Sequence, residues 1–235
     1  MPYRRLPNTD QARLRALKTV VNATRDQSYG NQVVRFDAVL EAQNTVRVFE
    51  NYLLQFQALL DNQSNTTRQY QQIVYNARLY LSHFIQVFNL AVIRNEIKKE
   101  QKLLYQLDPE VHNVPDLSTD AAVLHWGKCI IEGENERVRK GGIQIYNPTI
   151  SKVKVHYEIF KEYNTKHKLF QNTVARQRVE LVNLRQKCDN LICKIWNQVE
   201  DKFKDESPAE RLEKCRQYGV VYYYRKGEKR IEDIK

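Results

Sequence analysis

The sequence contains few of the residues that interrupt helices. Its 235 residues include only 7 glycines and 6 prolines, which is well below the usual share of about 7% and about 5%. A chain with so few turn-forming residues makes few turns, so its secondary-structure elements are long. In a polar chain rich in leucine and glutamine, long elements predict helices rather than strands.

Long apolar runs are also missing. The most apolar long window, 79–93, is interrupted by four polar residues and is shorter than the about 20 residues that span a bilayer. Arg4 and Arg5 at the amino terminus are followed by no apolar run, which argues against a signal peptide. We therefore expect a cytoplasmic protein without a membrane segment, in which the 4 cysteines stay reduced.

The common sequence motifs of enzymes and nucleotide-binding proteins are absent. The sequence has no GxGxxG, no GxxxxGK[ST], no GxSxG and no HExxH. Lys140-Gly141-Gly142 follows a predicted helix instead of joining a strand to a helix, so it indicates a helix end rather than a phosphate-binding loop. We predict a protein that is not an enzyme and binds no cofactor.

One pair of residues has the spacing of metal ligands. His125 and Cys129 are four residues apart on a predicted helix, and Glu132 lies near the same face. Two or three ligands without a second cluster do not define a metal site. A metal-binding or enzymatic bundle that uses His125 and Cys129 is therefore a remote alternative.

The chain is basic, with 38 lysines and arginines against 28 acidic residues and a net charge of +10. A basic surface favours polyanions, although here the excess is spread along the chain. The first predicted helix could bind a polyanion, lie on an anionic membrane or dock on the other helices, and we expect docking. The candidate polyanion contacts are Arg4, Arg5, Arg13, Arg15, Lys18 and Arg25.

Apolar periodicity predicts an all-α protein: an elongated antiparallel helical bundle over residues 1–206. A polar connection at 61–65 separates two of its helices, and Asn8 and Asn147 cap two others, with Pro148 in the first turn after Asn147. The predicted helices are a basic first helix at 8–28 and long, coiled-coil-like helices at about 32–61, 66–106, 120–140 and 149–204.

The last long helix carries an apolar seam at steps of three and four residues, which predicts sustained packing between helices. Either another helix of the same chain or a second subunit covers this seam, and the intrachain bundle is the more economical arrangement. The seam residues are Phe160, Tyr163, His167, Phe170, Val174, Gln177, Leu181, Leu184, Cys188, Leu191 and Ile195.

Residues 207–235 form a separate segment. Ser207 and Pro208 begin a short helix that Gly219 ends. Residues 220–225 are β-like and could form a hairpin with 230–234, which would pack on the bundle or on a partner. The candidate interface residues at this end of the chain are Trp196, Val199, Phe203, Tyr222, Tyr223 and Tyr224.

Five segments together resemble a family of helical proteins from Bacteroides-type bacteria that has no established activity. The resemblance implies a bacterial, cytoplasmic origin and assigns no role to any residue. The segments are YRRLPNTDQARLRALK (3–18), SHFIQVFN (82–89), WGKCIIEGENERVRKGG (126–142), YNPTISKVKV (146–155) and EKCRQYGVVYYY (213–224).

These observations predict a non-enzymatic interaction or scaffold protein that presents a rigid helical rod and associates with itself. The alternative is a nucleic-acid-associated accessory protein that uses the basic helix faces. We expect a protein partner and no membrane contact, with nucleic acid possible but not favoured.

Overall fold

The computed structural model describes residues 2–25, 32–226 and 228. The fold is all-α, as predicted, with 74% of the chain in helices and a two-stranded sheet near the chain ends. In order, the elements are β1 (Tyr3–Arg4), α1 (Asp10–Thr24), α2 (Phe36–Ile93), a 3-10 helix (Lys99–Tyr105), α3 (Asp120–Arg139), α4 (Ile150–Lys202), α5 (Pro208–Gln217) and β2 (Tyr222–Tyr223).

The predicted connection at 61–65 is wrong, because α2 runs through it without a break. Asp, Asn and Ser each cost only a few tenths of a kcal/mol relative to Ala inside a helix, and this stretch contains neither Gly nor Pro. The predicted end near residue 106 is also wrong. Helix α2 ends at Ile93, and Asn95 follows it in the left-handed conformation, with φ 58°.

The helix caps agree with the prediction in part. Ser207 caps α5 as expected, since its hydroxyl oxygen accepts from the Glu210 amide and its hydroxyl donates to the Glu210 carboxylate. Helix α1 is capped by Thr9 rather than Asn8 and ends at Thr24, and the predicted stop at 29–31 lies outside the described residues. Asn147 does not cap α4, because the Thr149 hydroxyl takes that position and accepts from the Lys152 amide at 3.4 Å.

The chain forms two compact units. The first, here the terminal unit, comprises residues 1–59 and 174–235 and contains α1, the start of α2, the end of α4, α5 and both strands. Helix α1 docks as expected, since its buried face joins the core. The buried core includes Leu14, Leu17, Val20, Val34, Ala38, Phe49, Cys188, Ile192, Trp196, Val199 and Cys215.

Helices α2 and α4 are antiparallel in the terminal unit. The Arg35 amide donates to Gln198, Lys194 pairs with Glu41, and the Tyr52 hydroxyl donates to the Gln177 carbonyl. As residue numbers increase along α2, the numbers of the contacting residues on α4 decrease, so the two helices run in opposite directions.

Strand β2 pairs with β1, with Tyr3 opposite Tyr223 and Arg4 opposite Tyr222. The sequence did not predict this partner, because a pairing between the two ends of a chain has no local signal. The second strand of the predicted hairpin, 230–234, lies outside the described residues.

The second unit, here the central unit, comprises residues 60–173. Two stacked ring pairs, Tyr70 with His167 and Tyr80 with His156, join α2 to α4 in antiparallel order. Its buried core includes Leu81, Phe84, Ile85, Phe88, Tyr105, Val123, Ile130, Val153 and Phe160.

The predicted seam of α4 is confirmed, since each of its residues is buried or half-buried. The polar seam residues have partners: His167 stacks on Tyr70, and Gln177 accepts from the Tyr52 hydroxyl at 2.5 Å.

Among the described helices, none combines the length and the apolar character needed to cross a bilayer.

Candidate functional site

Three of the six predicted polyanion contacts form pairs within the chain. Arg13 donates twice to Asp189, at 2.8 and 2.9 Å, and this hydrogen-bonded carboxylate raises the pKa of Arg13. Arg4 donates to Asn197 at 2.6 Å and pairs with Glu200 at 3.2 Å, and Lys18 pairs with Glu50. These three cations therefore bind α2 and α4 of their own chain.

The other three predicted contacts, Arg5, Arg15 and Arg25, are exposed and have no ion pair within the described part of the chain. They do not form one surface. Arg5 and Arg15 line a common cleft, whereas Arg25 lines a separate depression beside Phe36. The predicted polyanion surface is thus divided into internal ion pairs, one cleft and one separate arginine.

The cleft lies within the terminal unit and has a volume of about 560 Å³. Arg216 of α5 also lines it, a residue that no sequence pattern connected with Arg5 and Arg15. The apolar part of its lining includes Leu6, Ala16, Trp196 and Val220. The cleft therefore combines three guanidinium groups with an apolar wall.

Two of the predicted interface residues are core residues. Trp196 is 1% exposed and Val199 is 0% exposed, because α1, α2 and α5 cover the end of α4 that the sequence pattern leaves open. The prediction that Trp196 and Val199 contact a partner is therefore corrected, because both side chains are buried in the core. Phe203 is half-buried, with its ring 6.1 Å from that of Tyr218.

The three consecutive tyrosines lie in or beside β2. The Tyr222 hydroxyl donates to Glu200 at 2.7 Å, and burial followed by this bond raises the pKa of Tyr222. Tyr223 is exposed and its ring lies 5.7 Å from that of Tyr3, while Tyr224 is half-buried. Tyr223 is therefore the most accessible of the three.

His125 and Cys129 are close but gain no third ligand. The Cys129 sulfur lies 3.9 Å from Nε2 of His125, and Glu132 pairs with Lys128 instead. Burial raises the pKa of the Cys129 thiol, which disfavours the thiolate that a metal needs. Within the described residues, no group of three or more His, Cys, Asp or Glu side chains could hold a metal ion.

The central unit contains a buried ion pair in which both partners form several hydrogen bonds. Arg137 donates to both oxygens of Glu134 at 2.9 Å and to the Ile143 carbonyl at 2.7 Å. The Tyr105 hydroxyl donates to Glu134, and burial together with this carboxylate raises the pKa of Tyr105. Because every charged group has partners, the cluster is suited to fixing α3 rather than to proton transfer.

A second polar cluster joins three segments of the central unit. The Tyr70 hydroxyl donates to Asp120 at 2.6 Å and accepts from Asn164 at 2.5 Å. Burial and the Asp120 carboxylate raise the pKa of Tyr70 to about 12. Tyr70 is therefore protonated at neutral pH and acts as a fixed donor.

The outer face of α2 in the central unit carries a row of exposed apolar side chains, here called the α2 stripe: Tyr75 (60% exposed), Leu79 (47%), Leu90 (52%) and Ile93 (55%). Steps of four, eleven and three residues place all four on one side of the helix. A sequence signal existed for this surface, because Arg78 is the one charged residue from 71 to 93 in a chain that is 28% charged.

No protein-family model, no curated protein and no solved structure matches this chain. The resemblance to a family from Bacteroides-type bacteria therefore stays a prediction.

Proposed function

We propose that this protein is a non-enzymatic interaction protein that associates with a second copy of itself through the α2 stripe. The observation that supports the proposal is the row of Tyr75, Leu79, Leu90 and Ile93, each about half exposed on one helix face. Single exposed apolar side chains are ordinary. Four of them on one face, in a stretch with one charged residue, are characteristic of a contact surface.

The spacing of the α2 stripe makes it complementary to itself. Tyr75 and Ile93 lie nine positions on either side of Phe84, and Leu79 and Leu90 lie five before and six after it. In a two-fold interface, if one residue of the first copy contacts a given residue of the second, the same two positions also contact each other with the copies exchanged. Two α2 helices that cross antiparallel at the level of Phe84 would therefore place Leu79 against Leu90 of the second copy, and Tyr75 against Ile93.

Charge also favours this face. With a net charge of +10, two copies repel each other over much of their surface. The charge of Arg78 beside the stripe is offset by Asp120 at 3.6 Å, and its guanidinium donates to the Ser118 carbonyl at 2.6 Å. Because the stripe itself is uncharged, burying it against its copy brings no unpaired cations together.

The size of the surface predicts a weak association. Four side chains per copy, over 19 residues of helix, bury less area than the about 1,600 Å² of a standard stable interface. We therefore expect a dimer whose population rises with protein concentration rather than an obligate one.

The proposal includes a cytoplasmic location. All 4 cysteines are free, and Cys129, Cys188 and Cys215 are buried. Burial and the neighbouring Asp189 raise the pKa of the Cys188 thiol to about 11. Unpaired thiols support a reducing compartment.

The test is sedimentation velocity of the full chain over a range of concentrations. The wild type should shift from monomer to dimer as concentration rises, and Leu90→Glu should remain monomeric, because each dimer would contain two buried carboxylates. Leu169→Glu is the matched control, since Leu169 is 63% exposed on α4 of the same unit and lies outside the α2 stripe.

A charge-swap variant tests the antiparallel register. If Leu79 meets Leu90 of the second copy, then Leu79→Lys combined with Leu90→Glu pairs opposite charges twice and should restore part of the dimer that each single change removes. A wild type that stays monomeric at every concentration would contradict the proposal, as would a dimer lost in Leu169→Glu but kept in Leu90→Glu. Salt-sensitive absorbance at 260 nm in the purified protein would favour the nucleic-acid alternative.

A further inference from the structure

The cleft of the terminal unit has the dimensions of a small-molecule site. Its volume of about 560 Å³ lies within the range of about 300 to 1,000 Å³ that is usual for ligand pockets. Both ends of the chain build it, because residues 5–19 and 216–222 contribute most of the lining, with Trp196 between them. The cleft belongs to a different unit from the α2 stripe, so it does not depend on self-association.

The charges in the cleft have one sign. Arg5, Arg15 and Arg216 line it, and no acidic residue is among the lining residues that the structure describes. Arg4 and Arg13, each one or two positions from a lining arginine, form ion pairs with Glu200 and Asp189. Acidic side chains are therefore present in this unit, yet Arg5 and Arg15 form no ion pair among the described residues.

Arg5 and Arg15 line one cleft without an ion pair among the described residues, which favours an anion from outside the chain. The planar guanidinium fork binds carboxylate and phosphate oxygens through two parallel hydrogen bonds. Because Arg5 and Arg15 are exposed, water solvates their charges until an anion binds. The positive lining therefore predicts a negatively charged ligand.

The rest of the lining is apolar and predicts the body of the ligand. Leu6, Pro7, Ala12, Ala16 and Val220 offer aliphatic surface beside the arginines. This surface would gain nothing from an inorganic ion, whereas a hydrocarbon or aromatic body would remove it from water, which favours binding.

Trp196 provides a second, independent observation. It lines the cleft at 1% exposure, and its indole nitrogen is buried with no hydrogen-bond acceptor within the described residues. A buried N–H without an acceptor destabilises the fold, because it has lost its hydrogen bond to water. An oxygen of a ligand bound beside Trp196 could accept this hydrogen bond.

We propose that the cleft binds a small amphipathic anion, an organic acid whose headgroup lies between Arg5, Arg15 and Arg216 with one oxygen accepting from the Trp196 indole N–H, and whose apolar body packs against Ala16 and Val220. Binding is reversible and involves no covalent step. It would link the two chain ends and α4 through one ligand.

Octanoate is the probe. Octanol, which lacks the negative charge, and acetate, which lacks the long hydrocarbon chain, are the matched controls. Trp126→Phe removes the other tryptophan of the protein, so that Trp196 fluorescence reports on the cleft. Octanoate should change this fluorescence saturably and bind 1:1 by titration calorimetry. Octanol and acetate should each bind at least about tenfold more weakly, because each lacks half of the interaction.

Two variants connect the binding to the cleft. Arg15→Ala should weaken octanoate binding by about tenfold, the equivalent of one charge-assisted hydrogen bond. Arg25→Ala is the matched control, since Arg25 follows the same helix, is exposed and lines a different depression.

Equal affinity for octanol and octanoate would overturn the proposal, because the arginines would then contribute nothing. Equal loss in Arg15→Ala and Arg25→Ala would also overturn it, because it would indicate general attraction to a basic protein. Octyl phosphate that binds more tightly than octanoate would retain the proposal and assign the headgroup as a phosphate.

Discussion

The terminal unit pairs its charged side chains at the surface, whereas the central unit buries polar side chains in its core. In the terminal unit, Arg185 forms two 2.7 Å bonds with Asp10, and Arg13 binds Asp189 beside it, so that two bidentate pairs join α1 to α4. The side chains of these pairs remain 11% to 39% exposed. Water can therefore replace a lost partner there.

In the central unit, polar groups replace part of the apolar core. All the buried polar or charged residues among those described lie there: Asn89, Lys102, Glu134, Arg137 and Asn164. Even Lys102 is 0% exposed, and its ammonium donates to the Val111 carbonyl at 2.5 Å. Burial lowers the pKa of Lys102, although Asp108 and Glu110 oppose this effect.

The difference determines how each unit should respond to mutation. A surface pair contributes up to about 1 kcal/mol, because its charges stay hydrated when the pair breaks. A buried pair contributes little compared with an apolar core, yet losing one partner costs about 3 to 5 kcal/mol because the other charge stays buried. The central unit should therefore depend on single polar side chains, and the terminal unit should not.

The largest effect is expected for Arg137→Met, which leaves the Glu134 carboxylate buried with no cation. We expect the free energy of unfolding to fall by about 3 to 5 kcal/mol, measured by urea denaturation followed by circular dichroism.

The control for this change is Arg139→Ala, two positions along the same helix. Arg139 pairs with Glu136 at 2.7 Å, but its side chain is 77% exposed. We expect its loss to leave the urea midpoint nearly unchanged, because water screens an exposed pair. Similar losses for the two variants would contradict the distinction between buried and surface charge.

A smaller effect is expected for Gly133→Ala, which tests how tightly the central unit is packed. The sequence indicates that Gly133 weakens α3, since Gly costs about 1 kcal/mol relative to Ala in a helix. In the structure, a Cβ at this position would lie 2.7 Å from the Tyr105 ring and 2.8 Å from the Leu104 carbonyl oxygen. We therefore expect Gly133→Ala to destabilise the protein by about 1 to 3 kcal/mol despite its better helix propensity.

Asn135→Ala is the comparison for helix propensity alone, because Asn135 is exposed on the same helix. It should be neutral or slightly stabilising in the same urea titration. If Gly133→Ala were equally stabilising, the contact between α3 and Tyr105 would not restrict residue size.

The sequence was sufficient for features with local causes. The seam of α4 follows from a period of 3.5 residues, and the start of α5 follows from Ser207, Pro208 and Glu210, which act within one turn. Pattern and capping chemistry are encoded by neighbouring residues. For the same reason, the bounds of α3 were predicted to within a residue.

Features that depend on distant residues were not predictable. Arg13 meets Asp189 across 176 positions, and β1 meets β2 across the whole chain. Burial of Trp196 follows from which helices cover it, and periodicity does not specify that. The sequence therefore identified the cations of the amino terminus as one group, but it could not divide them between ion pairs and the cleft.

The smallest effect tests that division directly, through Arg13→Ala and Arg15→Ala on the same helix. Both changes remove one positive charge, but Arg13 binds Asp189 through two hydrogen bonds whereas Arg15 has no ion pair among the described residues. We expect Arg13→Ala to lower the free energy of unfolding by about 1 kcal/mol and Arg15→Ala to change it by under about 0.5 kcal/mol. Urea titrations at low and high salt should show the Arg13 effect shrinking as salt screens the pair. Equal effects would mean that the bidentate pair adds nothing to the docking of α1, and that the apolar face of Leu14, Leu17 and Val20 holds this helix alone.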